Sequence, residues 1–490
     1  MWYGVSTIAA KSINYLLTPY LTYSSIVSVA DYGIMGSVYS IVPLMNVLFT
    51  YGMETAYFRF IQRKEHAEDV NNTATVSLLC STIFLSVLLW LNQGVLARAA
   101  SLENFPLLIQ LSILVIGLDA LAAIPLARLR NEGRPKYFAF VRITSILVNV
   151  GITIFFLSFC QPYLNDHPDS FLRLIYRPGR NPISYVLIAN VIQSAFSLLL
   201  LAKWIIPSRW SFNYKLWKEM LVFALPMLVV GIGGTINETF NRLMLGWWLP
   251  YSENYAHEQT GIFNACYKLA ILISLFVQAF RMGAEPFFFK QAQGQDPQSV
   301  YARVMKFFII TICIMFLMVS LFLPVWKYFI DDAYWEGLAV VPILLLANMF
   351  LGIYYSLSVW YKVTSKVVAG VWITLAGTLI TITINWLFIP RFSYMACAWA
   401  TFSCYGTMMV ISYLWGQKVY PVPYATKKLV AYMMIVVLLF FIHKGLSALL
   451  KNDLGSSIAG AILLGTYVLF ILKIEKNEFR RLPLIGKYLK

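Results

Sequence analysis

The amino-acid sequence predicts an all-α polytopic membrane protein of about 14 transmembrane helices, and three observations carry that prediction. Of 490 residues, 59% are hydrophobic and only 12% are charged, about half the charged share of a soluble domain. The apolar runs are near 20 residues long, enough to cross a bilayer as a helix, and do not alternate in stretches of about 10 as β-barrel strands do. Lys and Arg gather on one side of the implied topology, about 27 in inner loops and tail against about 8 in outer loops. The net charge of +16 is therefore topological, and nucleic acid is excluded as a partner.

The spans run 3–25, 33–53, 73–92, 107–125, 138–159, 183–202, 219–240, 260–280, 307–326, 338–360, 367–389, 395–416, 428–444 and 456–473. The first starts almost at Met1, with neither a basic n-region nor a small-residue cleavage site, so it reads as a span and not as a signal peptide. The inner loops hold RFIQRK (59–64), RLRNEGRPK (128–136), 203–218 and 281–306. That bias places both termini in the cytoplasm. The tail KIEKNEFRRLPLIGKYLK is expected on the anionic inner leaflet, so membrane lipids are a partner. The longest outer loop, Gln161 to Pro182, contains Arg173, Arg177 and Arg180 but no catalytic constellation, which argues against an enzyme. The six Cys and four His show no metal-ligand spacing, and no metal or cofactor is expected.

An internal repeat organises the chain. Asp31-Tyr32-Gly33-Ile34 with Tyr39 opens span 2, and Gln259-Thr260-Gly261-Ile262 with Tyr267 opens span 8, 228 residues later. At that offset Ala56 meets Ala284 and Asn14 meets Arg242; near 230, Ile143-Thr144 meets Ile373-Thr374. An even number of spans between copies makes the repeat parallel, with its pseudo-axis along the membrane normal. This predicts two six-helix lobes, 1–206 (spans 1–6) and 207–418 (spans 7–12), with spans 13–14 and a basic tail in 419–490. Substrate sites in such folds lie between lobes near the midplane.

Charged residues inside spans are costly, about 2.5–3.5 kcal/mol each on insertion scales, so they face a wet cavity or a partner. The stretch from Leu221 to Trp248 carries Pro226, Gly231, Gly233 and Gly234, then Asn237, Glu238 and Arg242. Glu238 and Arg242 stand one helical turn apart. Two readings stand: a polar cavity wall with Arg242 available to an anion, or a structural ion pair near the headgroups. Lys11 in span 1 either snorkels to the inner interface or forms a cavity wall with Asn14. Lys268 sits inside span 8, and with Arg242 it makes a cationic pair in the second lobe. Arg242, Lys268, Lys11, Asn14 and Asn237 are the candidate substrate-binding residues. Asp119 in span 4 is either a counter-ion to a basic residue or a proton or sodium site. Glu54 and Glu285, at inner span ends, are expected in gate ion pairs with Arg59 or Arg281. With Glu238 and Asp119 they form the candidate gating or coupling set.

Several stretches together resemble one family. ADYG (30–33), YGMETAYFRF (51–60), LDALAAIPLARLRNEGRPKYF (118–138), and NRLMLGWW through GIFNACYKLA and AFRMGAEPFFF (241–289) look like bacterial polysaccharide (O-antigen) flippases. These are lipid-linked oligosaccharide translocases of the multidrug/oligosaccharidyl-lipid/polysaccharide exporter (MOP) superfamily. FSYMACAW (392–399) fits as well, though members usually carry Gly where Tyr394 or Ala396 stands. The resemblance implies a V-shaped, MATE-like transporter of the bacterial inner membrane. Its cargo would be an isoprenoid diphosphate carrying an oligosaccharide, moved from the inner to the outer leaflet by alternating access for surface polysaccharide (lipopolysaccharide) biosynthesis. It also implies coupling to a proton or sodium gradient, a polysaccharide polymerase and glycosyltransferases as partners, and cavity cations in spans 1, 7 and 8, here Lys11, Arg242 and Lys268. The alternative is a cation-coupled multidrug exporter of the same superfamily, whose cavity should carry net negative charge. The positive balance of those three residues argues against it.

Overall fold

The computed structural model describes residues 2–62, 67–167, 169–206, 210–292, 294–364, 366–450 and 452–480. Within them every regular element is a helix. The spanning helices are α1 (Trp2–Thr22), α2 (Val29–Thr50), α3 (Ala67–Leu91), α4 (Pro106–Asn131), α5 (Pro135–Ile154), α6 (Ile183–Leu200) and α7 (Tyr214–Thr239). They continue as α8 (Glu253–Gln291), α9 (Pro297–Ser320), α10 (Val340–Leu357), α11 (Val367–Phe392), α12 (Tyr394–Val419), α13 (Thr426–Leu450) and α14 (Asp453–Ile474). Among the described residues, 13 helices from α2 onward are long and apolar enough to cross a membrane, and the 21-residue α1 precedes them. The expected all-helical, roughly 14-span class is what the chain adopts.

The chain packs into two compact units, Met1–Ala265 with Thr374–Ala400, and Cys266–Ile373 with Thr401–Lys490. In the first, α4 packs on α3 and α6, and α5 packs on α1 and α6. Span 2 ends abruptly at Tyr51-Gly52. Gly52 takes φ +75, and a Cβ there would stand 2.6 Å from the Ala224 carbonyl oxygen, so only glycine satisfies both the left-handed backbone and the close approach of α7. The turn launches a short helix, Met53–Phe60, whose Met53, Ala56, Tyr57 and Phe60 are buried against Ala74, Ile124 and Ala224. Glu54 lies at the edge of that buried face, where Arg130 of α4 meets it.

The repeat is visible in the packing of this unit. Ser28 and Asp31 form a capping box at the start of α2. There α2 crosses α8 at near-contact of the backbones. A Cβ on Gly33 would fall 1.8 Å from the carbonyl oxygen of His257, and one on Gly261 would fall 2.1 Å from that of Val29. Gly33 and Gly261, like Val29 and His257, are 228 residues apart, so the two contacts are reciprocal, as across a two-fold axis. The polar contacts beside them correspond as well: Asn181 donates to Asp31 (2.6 Å) just before α6, and Ser393 donates to Gln259 (2.7 Å) just before α12.

In the second unit, α9 packs on α10 and α13, and α13 on α14. The α13–α14 hairpin is pinned at both ends. Asp453 pairs with Lys327 (2.6 Å) and accepts from Tyr328 (2.9 Å) at one end. At the other, Glu475 accepts from Lys428 and Tyr432, both at 2.7 Å, and Lys306 lies 3.4 Å away. Burial works against the Glu475 charge, but these donors outweigh it and hold the carboxyl below its ordinary range. The six cysteines are free.

Candidate functional site

One stripe from each of α1, α2, α4, α5 and α6 walls a chamber of about 530 Å³ in the first unit. The lining residues follow helical spacing: Ala10, Lys11 and Asn14 on α1; Asn46, Val47 and Thr50 on α2; Asp119, Ala122, Ala123, Leu126 and Arg130 on α4; Arg142, Ser145 and Ile146 on α5; Gln193, Ser194 and Ser197 on α6. Residues three or four apart share a helix face, so each apolar span turns one polar or small-residue stripe inward. Alanine and serine leave the space that the charged side chains enter. Glu54, carried by the short helix after α2, also lines the chamber.

Lys11, Asn14 and Arg142 are exposed although each sits within a span, and charges at that depth are costly unless water or a partner serves them. Asp119 accepts a 2.6 Å hydrogen bond from Ser194. Arg130 pairs through Nη2 with Glu54 Oε1 and lies 5.0 Å from the centre of the Phe58 ring. Arg142 stands 5.8 Å from the Phe138 ring centre, within the electrostatic reach of Asp119, Glu54 and Arg130. Three cations (Lys11, Arg130, Arg142) face two carboxylates (Asp119, Glu54), so the lining carries one net positive charge.

Four expected site residues, Lys11, Asn14, Asp119 and Glu54, thus come together. Glu54 takes its partner from Arg130, in the last turn of α4, and not from Arg59, which stacks 4.2 Å over Phe223. Arg281 stands 4.7 Å over the Tyr355 ring. The Glu285 side chain and residues 481–490 of the tail lie outside the described residues. Arg242 and Asn237 occupy a different place in the same unit. Arg242 is 8% exposed and donates through Nε to Asn264 (3.0 Å). Asn237 is buried and donates to the Thr374 carbonyl (3.4 Å), while Asn385 donates to Asn241 (2.6 Å) beside them. Glu238 is exposed, and Lys268, in the second unit, is half-buried.

Sequence reasoning missed Arg142, Arg130, Gln193 and Ser194. Arg142 follows the basic RLRNEGRPK stretch (128–136) closely enough to be counted with it. The signal that identifies it is its position in FAFVRIT, seven residues inside α5, about 10 Å of helix rise from Pro135.

The sequence profile of the family described as "Polysaccharide biosynthesis protein" matches residues 1–292. No curated protein matches the chain by sequence. Among solved structures, the fold is similar to "Lipid II flippase MurJ, inward closed conformation", with TM-score 0.73 and 14% identity over 97% of this chain and 99% of that one. It is also similar to an inward-facing "multidrug resistance MATE family transporter of the MOP superfamily", with TM-score 0.63 and 12% identity over 88% and 96%. A MATE crystallised with MaD5 gives TM-score 0.61 and 13% identity over 89% and 96%.

Proposed function

The chain belongs to the polysaccharide biosynthesis protein family, and from that premise we propose that it is a flippase for an isoprenoid-diphosphate-linked oligosaccharide. It carries the unit from the inner to the outer leaflet of the bacterial inner membrane, with both termini cytoplasmic, and performs no covalent chemistry. The enzymes that build and consume such a unit, glycosyltransferases and a polysaccharide polymerase, are its functional partners. The two repeats, 1–206 and 207–418, are the parts that alternate access, with 419–490 an appendix.

The observation that carries this reading is the water-accessible, net cationic chamber with Lys11 and Asn14 on its wall. A diphosphate cannot enter hydrocarbon bare, because an isolated ion there costs many kcal/mol. Fixed cations in a wet chamber lower that barrier, while the lipid tail stays in the bilayer. Lys268 is the proposed contributor from the second repeat, joined by Arg242 and Asn237 only when alternation opens the seam in which they are packed. Glu54, with Arg130, is the proposed inner gate, and Glu238 and Glu285 are assigned to gating with it. Asp119, the carboxylate bonded to Ser194, is the proposed coupling group to a proton or sodium gradient.

The test uses cells in which this chain is the sole route to surface polysaccharide. Lys11→Ala should leave the protein in the membrane and lower surface polysaccharide at least tenfold; export at the wild-type level would remove the chamber from the mechanism. A multidrug exporter would instead protect cells against cationic dyes, and the chain should confer no such protection.

A further inference from the structure

Arg142 stands apart from the other charged residues of the spans. Among the described residues it has neither a hydrogen bond nor an ion pair within direct contact distance; its neighbours are the Phe138 ring and the more distant charges of Asp119, Glu54 and Arg130. Asp119 is already engaged by Ser194, and Glu54 and Arg130 are taken up with each other. Arg142 as a residue is nonetheless exposed, and it lines the chamber. A cation at this depth is costly unless water or an anion serves it. A guanidinium presents paired N–H donors whose spacing matches two oxygens of a phosphate.

We propose that Arg142 is the residue of the first repeat that grips a phosphate of the transported anion, with Asp119 as the resident counter-ion that holds its place when the chamber is empty. This deepens the flippase reading and rests on it for the identity of the ligand. Three features select a diphosphate over a single carboxylate. The lining is net positive, so a multiply charged anion neutralises more of it. Lys11 and Asn14 present an ammonium and an amide on the facing helix, α1, which supplies a second point of attachment. The volume, about 530 Å³, lies within the ordinary range of ligand pockets, about 300–1,000 Å³, and leaves room for the first sugar beside the phosphates. Asp119 then sets selectivity: a weakly charged anion gains too little from Arg142 to compete with the carboxylate already in its field.

The experiment measures equilibrium binding of inorganic pyrophosphate, and separately of farnesyl diphosphate, to the full-length protein in lipid nanodiscs. Wild type should bind both saturably. Arg142→Gln should weaken both at least tenfold, Arg142→Lys about threefold, since it keeps the charge but loses the fork. Asp119→Asn should tighten pyrophosphate about threefold, and Asp119→Asn combined with Arg142→Gln should match Arg142→Gln alone. Thermal unfolding of each variant within a few degrees of wild type confirms that the fold is retained, and Arg142→Lys serves as the second variant should Arg142→Gln fail that check. Binding by Arg142→Gln within twofold of wild type overturns the proposal, as does an absence of saturable pyrophosphate binding by wild type. Loss of binding in Asp119→Asn equal to that in Arg142→Gln overturns the counter-ion role. Reconstituted flipping separates the two levels. Flipping that persists in Arg142→Gln sinks the residue assignment alone, whereas Arg142-dependent binding without any flipping of lipid-linked sugar sinks the functional reading alone.

Discussion

Arg142 and Arg242 are the same residue type, one in the spanning helix α5 and one on the short helix Asn241–Trp248 that follows α7 in the same compact unit, and their surroundings are opposite. Arg142 opens into a wet chamber beside small and polar side chains. Arg242 is buried in a packed seam where α2, α7, α8, α11 and α12 meet. There its Nε serves the Asn264 amide, Asn241 is held by Asn385, and a Cβ on Gly36 would stand 3.5 Å from the Arg242 Cδ. A buried polar group whose partner is removed leaves an unsatisfied atom, and the protein loses stability. A group facing water loses little on truncation, and the deficit shows up only when a ligand arrives. Position relative to water, more than residue type, thus separates what holds the molecule together from what it works with.

The sharpest way to break that comparison lies at the seam's tightest point. Gly33→Ala or Gly261→Ala places a methyl against a neighbouring helix's carbonyl, and overpacking of that kind costs about 1–3 kcal/mol or more. Each should lower the melting temperature of the purified protein by several degrees and reduce its abundance in the membrane. Because the contacts are reciprocal, the two substitutions should have similar effects; an unperturbed Gly261→Ala alongside a crippled Gly33→Ala would break the two-fold relation. Arg242→Ala comes next. Leaving Asn264 unpaired should cost about 1–3 kcal/mol, seen as a lower melting temperature, whereas Lys11→Ala in the chamber should leave melting unchanged while export falls. Wild-type melting of Arg242→Ala with loss of export would move Arg242 from the seam into the ligand's path.

The smallest effect is expected at the chamber's inner lip. The Glu54–Arg130 pair is a third or more exposed on both sides, and such pairs contribute about 0–1 kcal/mol. A double-mutant cycle with Glu54→Gln and Arg130→Gln should therefore show a coupling below about 1 kcal/mol in unfolding. A larger coupling in transport rate than in unfolding would mark the pair as a gate. Equal couplings would leave it a surface clasp.

Much of this was legible before any coordinates. Lys11, Asn14, Asp119 and Glu54 declare themselves because a polar residue in an apolar run has few places to go. The repeat was legible because Gly33 and Gly261 head matching motifs, and the structure gives the reason those glycines are needed: two backbones touch there. Arg142 was passed over because a basic loop stands immediately before it, and the helix carries that charge inward by only two turns. Glu54 was matched with Arg59, its neighbour in the chain. In space the turn at Gly52 points it toward α4, and Arg130 is the cation it finds.

By itself the sequence determined the solvent of this protein and the approximate number and order of its helices, because hydropathy, span length and charge asymmetry are properties of the linear chain acting against a bilayer. Only tertiary structure decided which cations meet water and which meet amides. That depends on the rotation of each helix about its axis and on the neighbours that close around it, and long-range contacts among α1, α2, α4, α5 and α6 leave almost no trace in local periodicity. Lys11 and Arg142, 131 residues apart in the chain, became walls of one chamber, whereas Arg242 became part of a seam.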